Sequence, residues 1–177
     1  MNLENIEGFP EMIIKIAWTV SNILTTSNYV NLRMTESKIF TYLIEITKKI
    51  NNVKVNFFCN IKLNKHILIA ISNLLLYSKK DTKLKLIMTV NTSEYLCKTL
   101  LNSLDNDVLS LCIDGVFMLM EFGEMEGVSN FVKIDLEKCG IIEILEKYTN
   151  HNNEGISLKS VKTLEEFWGK KIENQFN

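Results

Sequence analysis

Residues 15–22, Lys-Ile-Ala-Trp-Thr-Val-Ser-Asn, decide the fold because they carry the pattern of one packed helix. At about 100° of rotation per residue, Ala17 and Val20 fall on the same side as the flanking Ile13 and Leu24. An apolar stripe of this kind predicts an amphipathic helix that buries one face against its neighbours.

The opposite side of the same helix carries an unusual pair of residues. Trp18 and Asn22 are four residues apart, so they are neighbours on one face, roughly opposite the apolar stripe. A large indole directed away from the core, beside an amide that both donates and accepts hydrogen bonds, indicates a surface that holds an extended chain. The alternative is that a neighbouring helix covers Trp18 while Asn22 is simply solvated.

Composition favours an all-α protein and excludes several functions. The chain has 177 residues, 46% of them hydrophobic, which allows one sizeable domain or a short repeat array. With 7 Gly and 1 Pro, the sequence has few residues for the frequent turns of a sandwich or barrel. The net charge of −1 gives no overall attraction to nucleic acid or to an anionic membrane. No apolar run reaches the roughly 18 residues of a membrane span, and the amino terminus lacks the pattern of a secretory signal.

Nothing in the sequence predicts an enzyme, a cofactor or a metal site. It contains no Gly-rich phosphate loop, no HExxH and no GxSxG motif. The four cysteines form no CxxC pair and lie far from both histidines, so we expect buried free thiols and no zinc. Residues 91–93, Asn-Thr-Ser, match a glycosylation sequon, but we interpret them as a helix start capped by Thr92 or Ser93.

Helical patterns recur along the whole chain in the order short, medium, long. Asn22, Asn73 and Met118 occupy matching points of three successive long helices, which gives a period of roughly 45 residues, as in helical solenoids. The segment 68–75 repeats the apolar spacing and the Ser-Asn of residues 17–24. Such an array stacks its helices so that each repeat buries its face on the next. Residues 53–60 fit this order least well, and we interpret them as a loop or an irregular helix.

With this repeat order, the sequence resembles the armadillo repeats of the importin-alpha (karyopherin-alpha) family. Residues 17–23 are close to that family's A-W-x-x-S-N core, and the segments 79–91 and 107–123 resemble the next two repeats. Residues 136–145 are similar to the stretch E-E-C-G-G-L-D-K-I that opens the last repeat, and 150–168 to its closing helix. The resemblance implies a right-handed armadillo repeat solenoid of three to four repeats. It predicts one domain over residues 1–177, with a partial repeat at 1–25 and repeats at approximately 28–78, 80–123 and 124–170.

In that family, Trp and Asn residues along the groove bind basic nuclear localisation signals. Trp18 and Asn22 match one such pair, whereas at the next pair Asn73 matches the amide and Ile69 replaces the tryptophan. The acidic residues that normally precede each Trp by one turn are replaced here by Lys15 and His66. Because Lys15 would repel a basic ligand, the resemblance implies weak or altered peptide binding at these residues.

The resemblance also implies partners and a location. The carboxy-terminal repeats of the family contact an export receptor and certain nucleoporins, and the sequence places an acidic patch there, at Glu121, Glu124 and Glu126. No basic segment precedes the first helix, so we do not expect binding to importin-beta, and the absence of earlier repeats predicts self-association. These features predict an import-adaptor-like protein of the cytoplasm and nucleus. The alternative is a helical-repeat scaffold for another protein partner without transport activity.

Overall fold

The computed structural model describes residues 9–52 and 57–172, and these residues form ten helices and no strand. In chain order the helices are α1 (Phe9–Ile23), α2 (Asn28–Glu36), α3 (Ile39–Asn52), α4 (Phe57–Tyr77), α5 (Lys80–Val90), α6 (Thr92–Asn102), α7 (Asn106–Met125), α8 (Ser129–Lys138), α9 (Ile141–Tyr148) and α10 (Glu154–Trp168). The all-α prediction is therefore confirmed. The three helices that carry Asn22, Asn73 and Met118 are α1 with 15 residues, α4 with 21 and α7 with 20.

Side-chain caps define several of the helix starts. The carboxylate of Asp105 accepts a hydrogen bond from the backbone N–H of Val108 at 3.0 Å, which fixes the start of α7. The side chain of Asn153 does the same for Ile156 at 3.2 Å at the start of α10. These caps satisfy backbone donors that a first helical turn leaves unpaired.

Two local predictions differ from the structure. The residue that precedes α6 is Asn91, which has a positive φ of 48°, while Thr92 and Ser93 are buried inside the helix and do not cap it. Asn tolerates this left-handed conformation better than most residues. In the segment 53–60, residues 53–56 lie outside the described residues, but 57–60 belong to the regular helix α4 and not to a loop. A short apolar run does not by itself distinguish a strand or loop from a buried helix.

The described residues divide into two compact units, with unit 1 ending at Val90 and unit 2 beginning at Asn91. In unit 1, α4 packs against both α1 and α3, and α2 packs against α3 and α5. The predicted apolar stripe of α1 is buried, as are the apolar residues of α4 that recur with the same spacing: Ile13, Ala17, Val20, Leu24, Leu63, Ile67, Ala70, Ile71 and Leu74. Burial of each large aliphatic side chain contributes roughly 1.5–3 kcal/mol to the free energy of folding.

Polar contacts join α2 to the segment that leads into α5. The buried Asn31 donates from Nδ2 to Oγ of Ser78 at 2.9 Å, and the backbone N–H of Lys79 donates to Oδ1 of Asn28 at 2.7 Å. Asn28 therefore acts on a helix start about fifty residues further along the chain, which fixes the two helices relative to each other within unit 1.

In unit 2, α7 packs against α6, α8 and α10, and α9 packs against α10. Gly123 allows α7 and α8 to approach closely, since a Cβ atom at this position would lie 3.1 Å from Cα of Ser129. At the start of α10, the buried Ser157 donates its hydroxyl hydrogen to the carbonyl oxygen of Thr149. Unit 2 thus has its own apolar core, built around the central helix α7.

Candidate functional site

The helix α1 presents Trp18 and Asn22 to solvent. Because Ala17 and Val20 are buried against the rest of unit 1, the rotation of the helix directs both residues outward. The side chain of Trp18 is 54% exposed, so no helix in the described part of unit 1 covers it, contrary to the alternative considered from the sequence. The amide of Asn22 is exposed and makes no hydrogen bond to the described residues.

The helix α4, which packs on α1, presents Ile69 and Asn73 at the same spacing. Ile69 is 36% exposed, and Asn73 is half-buried. Asn73 donates from Nδ2 to the carbonyl oxygen of Ser21 at 2.8 Å. Ser21 lies in the last turn of α1, where carbonyl groups lack partners within the helix, so Asn73 caps the end of α1 from a neighbouring helix. The sequence analysis did not predict this role of Asn73. The available signal was that the carbonyl groups at the end of α1 need hydrogen-bond donors and that Asn73 repeats the position of Asn22 in the next long helix.

Two series of residues with the same spacing define a surface that we call the α1–α4 face. Within each series the residues are spaced by four, three and four positions, which places them along one side of a helix. The first series lies on α1 and the second on α4: Glu11, Lys15, Trp18 and Asn22, then Lys62, His66, Ile69 and Asn73. The four residues predicted to bind a peptide thus lie on two helices that pack together.

The charged groups of the α1–α4 face are mostly basic. Lys15 and Lys62 are exposed and make no ion pair with the described residues. His66 is half-buried, and its partial removal from water lowers the pKa of the imidazole below its ordinary value. Glu11 is the single carboxylate of α1, and α4 contains neither Asp nor Glu.

The matching positions of α7, in unit 2, have different chemistry. Asp114 and Met118 stand where α4 has Ile69 and Asn73. Asp114 is already neutralised within the unit, because Lys159 of α10 donates from Nζ to its Oδ2 at 2.6 Å and to Oγ of Ser110 at 2.7 Å. The position of α7 that matches Trp18 therefore carries a carboxylate already paired with a lysine, and not an indole.

The second tryptophan of the chain, Trp168, is anchored within unit 2. Its Nε1–H donates to Oε1 of Glu137 at 2.8 Å, and Nζ of Lys133 lies 5.8 Å from its ring centre. Of the acidic patch predicted from the sequence, Glu121 and Glu124 are exposed at the end of α7. Trp168 differs from Trp18 in that its indole N–H has a hydrogen-bond partner among the described residues.

Among the described residues, no group of His, Cys, Asp and Glu side chains is arranged to hold a metal ion. No helix in residues 9–52 and 57–172 is both long and apolar enough to cross a membrane. The four cysteines are free thiols, and burial raises the pKa of Cys97 to about 12.

Comparison with solved structures identifies the fold. A designed armadillo repeat protein, YIII(Dq.V1)4CPAF in complex with the peptide (KR)4, superposes with a TM-score of 0.70 over 93% of this chain. The chain has the armadillo repeat fold. The two sequences are 21% identical, and the alignment covers 61% of the designed protein, so this chain spans about three fifths of its length.

A second designed armadillo repeat protein, YIII(Dq)4CqI, aligns with 88% of this chain at 13% identity and a TM-score of 0.47. No protein-family model matches the sequence. No curated protein matches it either. The repeat boundaries and the peptide-binding roles of Trp18, Asn22, Ile69 and Asn73 stay predictions.

Proposed function

We propose that this chain is a protein-binding adaptor that holds an extended peptide segment of a partner against the α1–α4 face. The observation that carries the proposal is the pair Trp18 and Asn22, an exposed indole one turn before an amide without a described hydrogen-bond partner. An exposed indole can pack against the stem of a peptide side chain, and the adjacent amide can hold the peptide backbone.

The spacing of the two helices suits an extended ligand. Packed helices lie about 8–10 Å apart, and an extended chain advances about 3.3–3.6 Å per residue, so neighbouring helices meet a peptide roughly every third residue. Asn22 and Asn73 then meet two backbone units of one peptide. Asn73 keeps one N–H and its carbonyl oxygen for this purpose after it has donated to Ser21.

The more specific candidate is the nuclear import adaptor implied by the resemblance to importin-alpha. Its support is the match of Trp18 and Asn22 to one signal-binding pair of that family, together with the fold. The designed neighbour holds the peptide (KR)4, which is basic as nuclear localisation signals are. For the import-adaptor candidate, the exposed Glu121 and Glu124 of unit 2 belong to a surface that binds an export receptor or a nucleoporin. This candidate protein works in both cytoplasm and nucleus.

A second candidate is a scaffold that binds another protein without transport activity. The observation that favours it is the chemistry one turn before the matched positions, where Lys15 and His66 replace acidic residues. A lysine beside the indole opposes a lysine or arginine of the ligand. The two candidates share the α1–α4 face and differ in the peptide that it accepts.

Titration with a basic localisation peptide separates the candidates. We would use a Trp168→Phe variant, so that Trp18 is the only tryptophan, and follow its fluorescence. If the chain is an import adaptor, we expect a saturable change in Trp18 fluorescence and weaker binding in Asn22→Ala. Asn102→Ala in unit 2 is the matched control. The absence of any change at high micromolar peptide would support the scaffold.

A further inference from the structure

The charges of the α1–α4 face point to one class of peptide. In α4, the residues of the face include Lys62 and His66, and the whole helix of 21 residues lacks a carboxylate. In α1, the charged residue nearest to Trp18 is Lys15, three positions before it, whereas Glu11 lies a further turn away. Along α1, the charged residue closest to the indole is therefore basic.

The lysines of this face are available to a ligand. Lys15 and Lys62 are exposed and form no ion pair with the described residues, in contrast to Lys159 of unit 2, which binds Asp114. An ammonium group that is already paired gains little from a second carboxylate, whereas an unpaired one attracts it. The same two lysines oppose any basic side chain placed beside Trp18.

The face also has an apolar component. Trp18 and Ile69 are 54% and 36% exposed, and their side chains stand one turn before the two Asn residues. A peptide held by those amides in an extended conformation directs alternate side chains to opposite sides. Apolar side chains of the ligand can thus contact Trp18 and Ile69 while neighbouring ones reach Lys15 and Lys62.

We propose that the α1–α4 face selects an extended segment of a partner protein in which acidic residues alternate with apolar ones, in preference to a basic segment. This inference rests on the proposed function, because it assumes that a peptide binds at this face. It assigns the face a ligand of opposite charge to a nuclear localisation signal.

The experiment compares two peptides of identical length. One is an octapeptide in which two leucines alternate with two glutamates between glycine and serine ends, and the other replaces both glutamates by lysine. Affinities are measured by calorimetry in about 0.1 M salt, where charges within roughly 10 Å still interact. Each exposed charge pair contributes a factor of about 1.5 to 5, so we expect the acidic peptide to bind about tenfold more tightly.

Charge variants test which residues carry the preference. In Lys15→Glu/Lys62→Glu we expect the preference to reverse, and in Lys15→Gln/Lys62→Gln we expect it to disappear. Glu11→Lys should strengthen binding of the acidic peptide. Lys171→Glu, which makes a Lys-to-Glu charge change after α10 and away from the face, should leave the preference unchanged. Circular dichroism confirms that each variant keeps its helices.

The outcomes separate this inference from the proposed function. Binding of both peptides that is weakened in Asn22→Ala, with equal affinities or a preference for the basic one, overturns the inference and leaves the proposed function standing. A preference for the acidic peptide that the Lys15 and Lys62 variants do not alter also overturns the inference. If neither peptide binds the folded protein, the inference and the peptide-binding function both fail.

Discussion

The two repeated asparagines, Asn22 and Asn73, should respond differently to the same substitution. Both are helical residues, so replacement by alanine gives each a similar gain in helix propensity, about 0.5 kcal/mol. Only Asn73 loses a hydrogen bond, the one that it donates to the carbonyl oxygen of Ser21 at 2.8 Å. A typical intramolecular hydrogen bond contributes about 1 kcal/mol to stability.

The expected values follow from these two terms. Asn22→Ala should stabilise the protein by about 0.5 kcal/mol, and Asn73→Ala should destabilise it by about the same amount. The two variants therefore differ by about 1 kcal/mol. Asn73→Asp, which keeps the shape but removes the donor, should be at least as destabilising as Asn73→Ala, because a carboxylate would face a carbonyl oxygen.

The assay is urea denaturation in the Trp168→Phe background. Trp18 is then the only tryptophan and lies in unit 1, so its fluorescence reports on the unit that contains both asparagines. Circular dichroism, recorded on the same samples, shows whether the two probes follow one transition. Equal changes in Asn22→Ala and Asn73→Ala would refute the role of Asn73 as a cap of α1.

Three further predictions concern the packing and chemistry of the two units. Gly123→Ala should destabilise unit 2 by about 1–3 kcal/mol, because its Cβ would lie 3.1 Å from Cα of Ser129, and an unchanged urea midpoint would contradict the close packing of α7 and α8. Partial burial lowers the pKa of His66, so the unfolded chain takes up this proton first and stability should fall as pH drops below about 6.5. His66→Gln should flatten that part of the stability profile, and a profile identical to that of the parent would oppose this assignment. Burial raises the pKa of Cys97 to about 12, so mass mapping at pH 8 should show slow alkylation by iodoacetamide until the protein is denatured, and rapid labelling of the native protein would be inconsistent with a buried thiol.

The sequence predicted helices well where the apolar period is long and regular. The stripe of α1 and the matching residues of α4 are buried as the 3.6-residue period requires. The apolar stretch at residues 53–60 is too short to show a helical period. Residues 57–60 were therefore predicted as a loop or an irregular helix, although they belong to the regular helix α4. Local spacing also could not identify Asn91 as the residue before α6, because a positive φ at one residue leaves no mark on the apolar period.

The candidate site was predictable only in part, for a physical reason. Helical rotation alone directs Trp18 and Asn22 away from the buried stripe, and the structure confirms that both are exposed. The hydrogen bond of Asn73 to α1 joins residues 52 positions apart, and the ion pair of Asp114 with Lys159 joins residues 45 positions apart. Contacts of this range depend on the packing of whole helices, which the spacing along one helix does not specify.

Binding of a peptide to the α1–α4 face can be followed by NMR at the two indole N–H signals of the uniformly ¹⁵N-labelled protein, which are assigned with Trp168→Phe. The indole N–H of Trp18 is on an exposed side chain and has no hydrogen-bond partner among the described residues, whereas that of Trp168 donates to Glu137, so the second signal is an internal reference. On titration with the octapeptide of glutamates and leucines, we expect a saturable change in the chemical shift of the Trp18 indole N–H and an unchanged chemical shift for Trp168. Saturable binding that shifts Trp168 alone, or leaves both signals unmoved, would contradict a peptide site on the α1–α4 face.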